Sequence, residues 1–222
     1  MLVGEAVVAI WNGIAPEARA GFYDWHINEH MPERVGIPGF RRGRRLVALG
    51  PETHPEFFTL YEADRMEVLK GSDYANRLND PTPGTRANVA QFRNTQRALA
   101  RVLASCGPGL GGTMLTVRFD ADPGAEEVLA TLARTACRAP RIAGAHLCRA
   151  DDDASAVRTT ETRDRADVEV PPRWFLLVEA TDAEALADVA SDPALAGAGA
   201  RLPFQRGLYR LEYVRTKTAF AA

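Results

Sequence analysis

FFTLYEAD at residues 57–64 and WFLLVEATD at residues 174–182 are the two stretches that decide the fold of this 222-residue chain. Phe57 aligns with Trp174, Phe58 with Phe175, Leu60 with Leu177, Glu62 with Glu179 and Ala63 with Ala180. Each segment runs on into a helical stretch with a Ser-Asp pair, Ser72-Asp73 in one and Ser191-Asp192 in the other. Upstream, Ile37-Pro38-Gly39 and Ile142-Ala143-Gly144 each precede a strand-like run. Downstream, Phe92 and Phe204 each open a final strand. A pattern that returns at about half the chain length marks two copies of one supersecondary unit.

In the first copy, residues 3–12 read as a strand and 16–29 as a helix that tolerates Pro16 in its first turn. Residues 40–49 and 57–63 are strands around a Gly50-Pro51 turn, and 65–78 are helical. Residues 92–104 fit a strand or a helix by period alone. The second copy gives strand 113–120, helix 124–138, strands 143–150 and 173–180, helix 183–190 and strand 204–216. The fold class is therefore α+β, a tandem ferredoxin-like (βαββαβ)×2 arrangement. Its units span 1–105 and 113–222 and are joined by the Gly-rich linker 106–112 (CGPGLGG). One four-stranded sheet with helices on a single face leaves its other face bare. Two copies packed on those bare faces make an eight-stranded barrel with helices outside. Strands buried on both sides explain why VVAIW, FFTLY and WFLLV are continuously apolar. A barrel also requires 92–104 to be a strand.

Hydrophobic residues make up 46% of the chain and charged residues 25%, as in an ordinary globular protein. The net charge of -2 gives no electrostatic case for nucleic acid or a membrane surface as partner. The cluster Arg41, Arg42, Arg44 and Arg45 reads as a strand face rather than a nucleic-acid patch. MLVGEAVVAIWNG reads as a strand rather than a leader, and no apolar run has the length of a bilayer span. Cys106, Cys137 and Cys148 lack C-x-x-C spacing, so neither a disulfide framework nor a zinc knuckle is implied. Cytoplasmic residence is the expectation.

The copies differ most at the end of the first helix. Copy one has Trp25, His26, Glu29, His30, Met31 and Pro32 where copy two has TACRAPRIAG. Copy one also has Tyr61 where copy two has Val178. At about 100° per residue Phe22, Trp25 and Glu29 share a helix face with His26 at its margin, while His30 sits farther round. Pro32 disfavours helical geometry at Met31, so the helix is expected to end near His30. H-x-x-E-H (His26 to His30) is also a zinc-peptidase signature, with Glu29 as base. That motif needs a continuing helix and a further ligand, and neither is expected here. Copy two carries a polar insertion at 151–172, DDDASAVRTTETRDRADVEVPP, which reads as a mobile surface loop.

The run FYDWHINEHMPERVGIPGFRRGRR, within its β-α-β-β-α-β order, resembles the dimeric α-β barrel superfamily and most of all its EthD-like branch. Trp25, His30, Pro32, Pro38 and Gly39 match that branch's motif. The resemblance implies a pocket between sheet and helices, or inside the barrel, for small aromatic or polyketide-like molecules. Members include cofactor-free monooxygenases, cyclases, isomerases and haem enzymes. Most build the barrel from two chains, so two fused units with one surviving motif imply one competent pocket per chain. A homodimer of the fused barrel is compatible with the pattern.

Cofactor-independent acid/base chemistry on a carbonyl or aromatic substrate, of isomerase, cyclase or lyase type, then needs a proton acceptor and a donor. His30 and His26 are the acceptor candidates and Tyr61 the donor. Asn12 could polarise a carbonyl, and Trp25 could form an aromatic wall. Arg42 and Arg44 share a strand face and could hold a substrate carboxylate, or pair with Glu62. Glu29, Pro32, Pro38 and Gly39 form the structural turn. The competing reading is a non-catalytic ligand-binding or structural barrel in which the same residues hold that turn. No cofactor is called for; haem through His26, His30 or His146, and zinc through the HINEH segment, stay as alternatives. No nucleotide-binding glycine motif is present.

Overall fold

The computed structural model describes residues 1–163 and 168–218. Strand β1 (Ala6–Ile14) leads into one helical run. It comprises a 3-10 turn (Pro16–Ala18), α1 (Arg19–Trp25), a π-helical turn (His26–His30) and α2 (Met31–Gly36). Next come β2 (Phe40–Ala48) and β3 (Phe57–Ala63), and then α3 (Met66–Lys70), α4 (Ser72–Asn79), α5 (Pro83–Val89) and β4 (Phe92–Cys106). The second unit begins with β5 (Thr113–Ala121), α6 (Glu126–Ala136) and β6 (Ile142–Ala150). Its insertion carries α7 (Asp152–Ala156), α8 (Thr160–Arg163) and β7 (Val168–Glu169). It closes with β8 (Trp174–Ala180), a 3-10 turn (Glu184–Leu186), α9 (Asp192–Gly197) and β9 (Ala200–Thr216).

The first unit orders its strands β4-β1-β3-β2 and the second β9-β5-β8-β6, all antiparallel. The sheets do more than stack their bare faces. β2 pairs with β9 and β6 with β4, so eight strands close into a barrel. Closure satisfies the backbone groups that each sheet edge would otherwise expose. Alternation along the strands divides the apolar residues between two layers. Val7, Ala9, Trp11, Phe58, Leu60, Phe175 and Leu177 fill the barrel interior. Ala6, Val8 and Tyr61 face the first unit's helices, while Leu176 and Val178 face the second unit's.

Four expectations are corrected. The helix does not end at His30 but continues to Gly36, because the chain widens at His26–His30. In an α-helix the Pro32 ring would collide with the carbonyl four residues back. Here Met31 N–H instead bonds to the His26 carbonyl, five residues back, which opens the turn and admits the proline. The helix expected at 65–78 is split at Gly71, and the one expected at 183–190 shrinks to a single turn before α9. The insertion is not a solvent loop where it is described: α7 and α8 pack on the first unit. The rest of that expectation falls partly on residues 164–167, outside the described residues.

The fourth correction concerns the repeat itself. Arg42 lies opposite Glu62, and Gly144 lies opposite Glu179, so these two positions correspond. Gly43 then matches Ala145, and Arg44 matches His146. The left-handed residue before each strand is Gly39 (φ 84) in one copy and Arg141 (φ 65) in the other, not Gly144. The strand ladder conserves spacing from the glutamates, whereas the local Ile-x-Gly likeness is coincidental.

Candidate functional site

The π-helical turn brings both histidines of HINEH to the sheet. His26 and His30 are 3% and 5% exposed, and Trp25 is buried with them. The His30 ring lies 4.3 Å from Trp25, 5.6 Å from His26 and 6.3 Å from Tyr61 on β3. His26 leans on Phe22 at 5.1 Å. The helical run can come this close because β2 has no side chain at Gly43. A Cβ there would stand 2.1 Å from Met31 Sδ and 3.0 Å from the Tyr61 ring. Both histidines face inward, and neither sits at a margin. Glu29 points the other way, accepting a hydrogen bond from Thr82 just before α5, so it anchors the run to α5 rather than to the Pro38-Gly39 turn.

Trp25 Nε1, His26 Nδ1 and the Tyr61 hydroxyl are buried without a hydrogen-bond partner among the described residues. Burial holds the Tyr61 hydroxyl far above the ordinary phenol range, so it keeps its proton. Burial, helped by the nearby Arg45 guanidinium, lowers His26 to about 3, so its imidazole is neutral at physiological pH. One side of the sheet thus offers a fixed donor and a neutral imidazole within an aromatic shell.

Arg34, which the sequence reading passed over, is buried beside this cluster and donates to Glu161 on α8 of the second unit's insertion. It stands four residues beyond His30, a spacing that would have placed it on the same helix face had the helix been expected to continue. The insertion is also tied down by Lys70–Asp151 at 2.6 Å and by Thr160 N–H donating to Asn79 at 3.1 Å. Beneath this strap, between α4 and β4, lies a cavity of about 260 Å³. Tyr74 forms one of its walls and packs at a tilt against Phe40 (ring centroids 5.2 Å apart), which in turn adjoins Tyr61 (6.4 Å).

Arg42 and Arg44 lie on the opposite side of the sheet, inside the barrel. Arg42 Nε and Nη2 each donate to Glu62 at 2.8 Å. Arg44 lies 3.2 Å from Glu62 and donates to Glu179 at 2.8 Å. His146 is 3.1 Å from Glu179 through Nε2 and 2.9 Å from the Ser105 hydroxyl through Nδ1. Burial on its own would raise the Glu179 carboxyl, but the His146 hydrogen bond and the Arg44 charge outweigh it and leave the group at about 2. Burial lowers His146, so it is a neutral link in the network. This network and the apolar residues above it lie in the barrel interior. Asn12 is buried on the helix-facing side, at the end of β1 opposite Phe57, and its amide is spent on the Gly13 carbonyl at 3.2 Å. The structure therefore gathers His26, His30, Trp25 and Tyr61, but not Arg42, Arg44 or Asn12.

Neither metal nor haem fits these residues readily. The helix does continue through HINEH, which removes one argument against zinc. Yet Glu29 is turned to α5, and among the described residues no group of three or more His, Cys, Asp or Glu is arranged to hold a metal. His146 is bonded at both ring nitrogens. His26 and His30 are wedged between Phe22, Trp25 and Tyr61, which a porphyrin would have to displace.

No family model matches the chain, and no curated protein is similar to it. Solved structures are similar in fold. An anthrone oxidase-like protein aligns over 95% of this chain and 92% of its own, with TM-score 0.60 and 12% identity. A presumed monooxygenase from Fusobacterium nucleatum aligns over 97% and 96%, with TM-score 0.59 and 9% identity. A presumed chlorite dismutase aligns over 95% and 96%, with TM-score 0.55 and 10% identity. The class is thereby defined: this chain has the dimeric α-β barrel fold, complete within one polypeptide. Its narrower likeness to the EthD-like branch rests on Trp25, His30, Pro32, Pro38 and Gly39 alone. Among the described residues no helix is long and apolar enough to cross a membrane.

Proposed function

We propose that the chain is a small-molecule enzyme whose one site lies between the helical run and the sheet of the first unit. It performs proton transfer on an aromatic ketone or related carbonyl compound with its own side chains and no cofactor. The observation that carries this reading is the set of unsatisfied buried polar atoms on Trp25, His26 and Tyr61. Leaving such a group unbonded costs about 1–3 kcal/mol. A cluster of them is tolerated where a ligand supplies the missing partners. Tyr61, holding its proton firmly, donates to the substrate carbonyl oxygen, and that bond strengthens as charge develops on the oxygen. His30 takes the proton from the adjacent carbon, with neutral His26 beside it.

One structural relative is described as anthrone oxidase-like, and anthrone is an aromatic ketone. A cofactor-free monooxygenase would begin with the same proton abstraction and then pass the carbanion's electrons to dioxygen. The test is hydrogen–deuterium exchange at the acidic carbon of anthrone, with oxygen uptake followed in parallel. Exchange that falls on the order of 100-fold in Tyr61→Phe and His30→Ala supports the reading. Exchange with oxygen uptake extends it to monooxygenation. Saturable binding of the ketone without exchange indicates the non-catalytic barrel.

A further inference from the structure

The 260 Å³ cavity behind Tyr74 is not part of the histidine cluster and has a chemistry of its own. Its walls are Leu69, Leu78, Leu99 and Ala75, and its roof is Ala154 and Val157 from the second unit's insertion. The roof is fixed at the Leu99 backbone, where Leu99 N–H donates to Ser155 Oγ at 3.0 Å and Asp151 N–H donates to the Leu99 carbonyl at 2.8 Å. A dry apolar cavity of roughly 150 Å³ takes up one benzene ring, so this one has room for a one- or two-ring body. Charge is distributed unevenly around it. Lys70 is neutralised by Asp151 at 2.6 Å, and Asp153 is exposed to water at the mouth. Arg97 is half-buried in the wall and has no carboxylate partner among the described residues. Among those residues it donates to the Tyr74 hydroxyl alone, at 3.0 Å. Cations next to apolar surface generally find an anion.

We infer that this cavity binds a compact aromatic carboxylate, its rings between Leu69, Leu78, Leu99 and Val157 and its carboxylate on Arg97. The assignment goes beyond the acid–base reading, because it concerns a different space and is read out by binding alone. 1-Naphthoate and its methyl ester are suitable probes, titrated calorimetrically against the full chain, with Arg97→Gln and Ala75→Phe as variants. Wild type is expected to bind naphthoate at least tenfold more tightly than the ester. Arg97→Gln removes that preference while keeping the ester's affinity, and Ala75→Phe, which fills the space from α4, abolishes both. An unchanged melting temperature in Arg97→Gln certifies its fold. Absent saturable binding, equal affinity for acid and ester, or a preference that survives Arg97→Gln would each overturn the assignment. None of these results bears on Tyr61-dependent exchange, so the two readings fail separately.

Discussion

The two helix-facing layers of this molecule are built on corresponding strands of the two units yet packed from different materials. In the second unit, Leu129, Ala130 and Ala133 of α6 close over Leu176 and Val178 in an apolar layer. In the first, Trp25, His26, His30 and Tyr61 occupy the corresponding space, and polar atoms of Trp25, His26 and Tyr61 have no hydrogen-bond partner among the described residues. The inward faces of β3 and β8, by contrast, repeat: Phe58 and Phe175, Leu60 and Leu177, Glu62 and Glu179. The inward residues of β3 and β8 match, while the outer layers differ, one given to packing and the other to polar side chains.

The largest effect expected of this division is in the shared interior. Glu179→Ala leaves Arg44 and His146 facing an empty position, and breaking a buried pair in this way costs about 3–5 kcal/mol. Denaturant unfolding should show that loss in both units together. An undiminished midpoint would mean the interior network is not what joins them. Next comes Tyr61→Phe, for which exchange activity falls on the order of 100-fold while the melting temperature holds or rises, since an unsatisfied hydroxyl is removed. A lower melting temperature would give that hydroxyl a structural bond and weaken the contrast between the layers.

Gly43→Ala sharpens the comparison at a single Cβ. The second unit already carries Ala145 at the matching position, but in the first a Cβ would strike Met31 and Tyr61. Overpacking of this kind costs about 1–3 kcal/mol, and Ala145→Gly should show no comparable clash-driven loss when both are compared by thermal unfolding.

A smaller effect appears as a pH dependence. His26 is held at about 3 in the fold against an ordinary 6.5, and His146 is lowered as well. The unfolded chain therefore binds more protons in this window, so stability falls as pH drops below about 6.5. His26→Phe should make that decline shallower in denaturation curves between pH 6.5 and 5. Below about 4.5 the ionised Glu179, lowered to about 2, adds its own loss as the unfolded chain takes up protons first. Smallest of all, Arg41→Ala touches only an exposed pair with Asp64 and should leave the melting temperature unchanged, whereas its neighbour Arg42 is clamped inside the barrel.

The strand order, the barrel and the pairing of Tyr61 with Val178 were legible in the sequence because strands buried on both faces leave long apolar runs that repeat with their glutamates. Trp25, His26 and His30 could be singled out because copy two lacks them. The π-helical turn could not be read, because a proline four residues beyond Asn28 signals an ending unless the turn beside it is known to widen. Arg34 was missed with it. The roof was hidden for another reason: Glu161 meets Arg34 across 127 residues of chain, and no local pattern in a polar insertion records such a contact. Arg42 and Arg44 were found as a pair on one face, but which face of the sheet looked inward depended on how the barrel closed.

The glutamate end of the barrel has a consequence for ancestry. It holds two guanidinium groups, from Arg42 and Arg44, against two carboxylates, with His146 neutral. Two copies of the first unit would bring both arginines twice and leave a surplus of positive charge. Two copies of the second would set glutamates against imidazoles, with no arginine at all. These charges balance only for unlike partners, so two identical copies of either segment would not reproduce this pairing. Fusion here locks in a complementary couple.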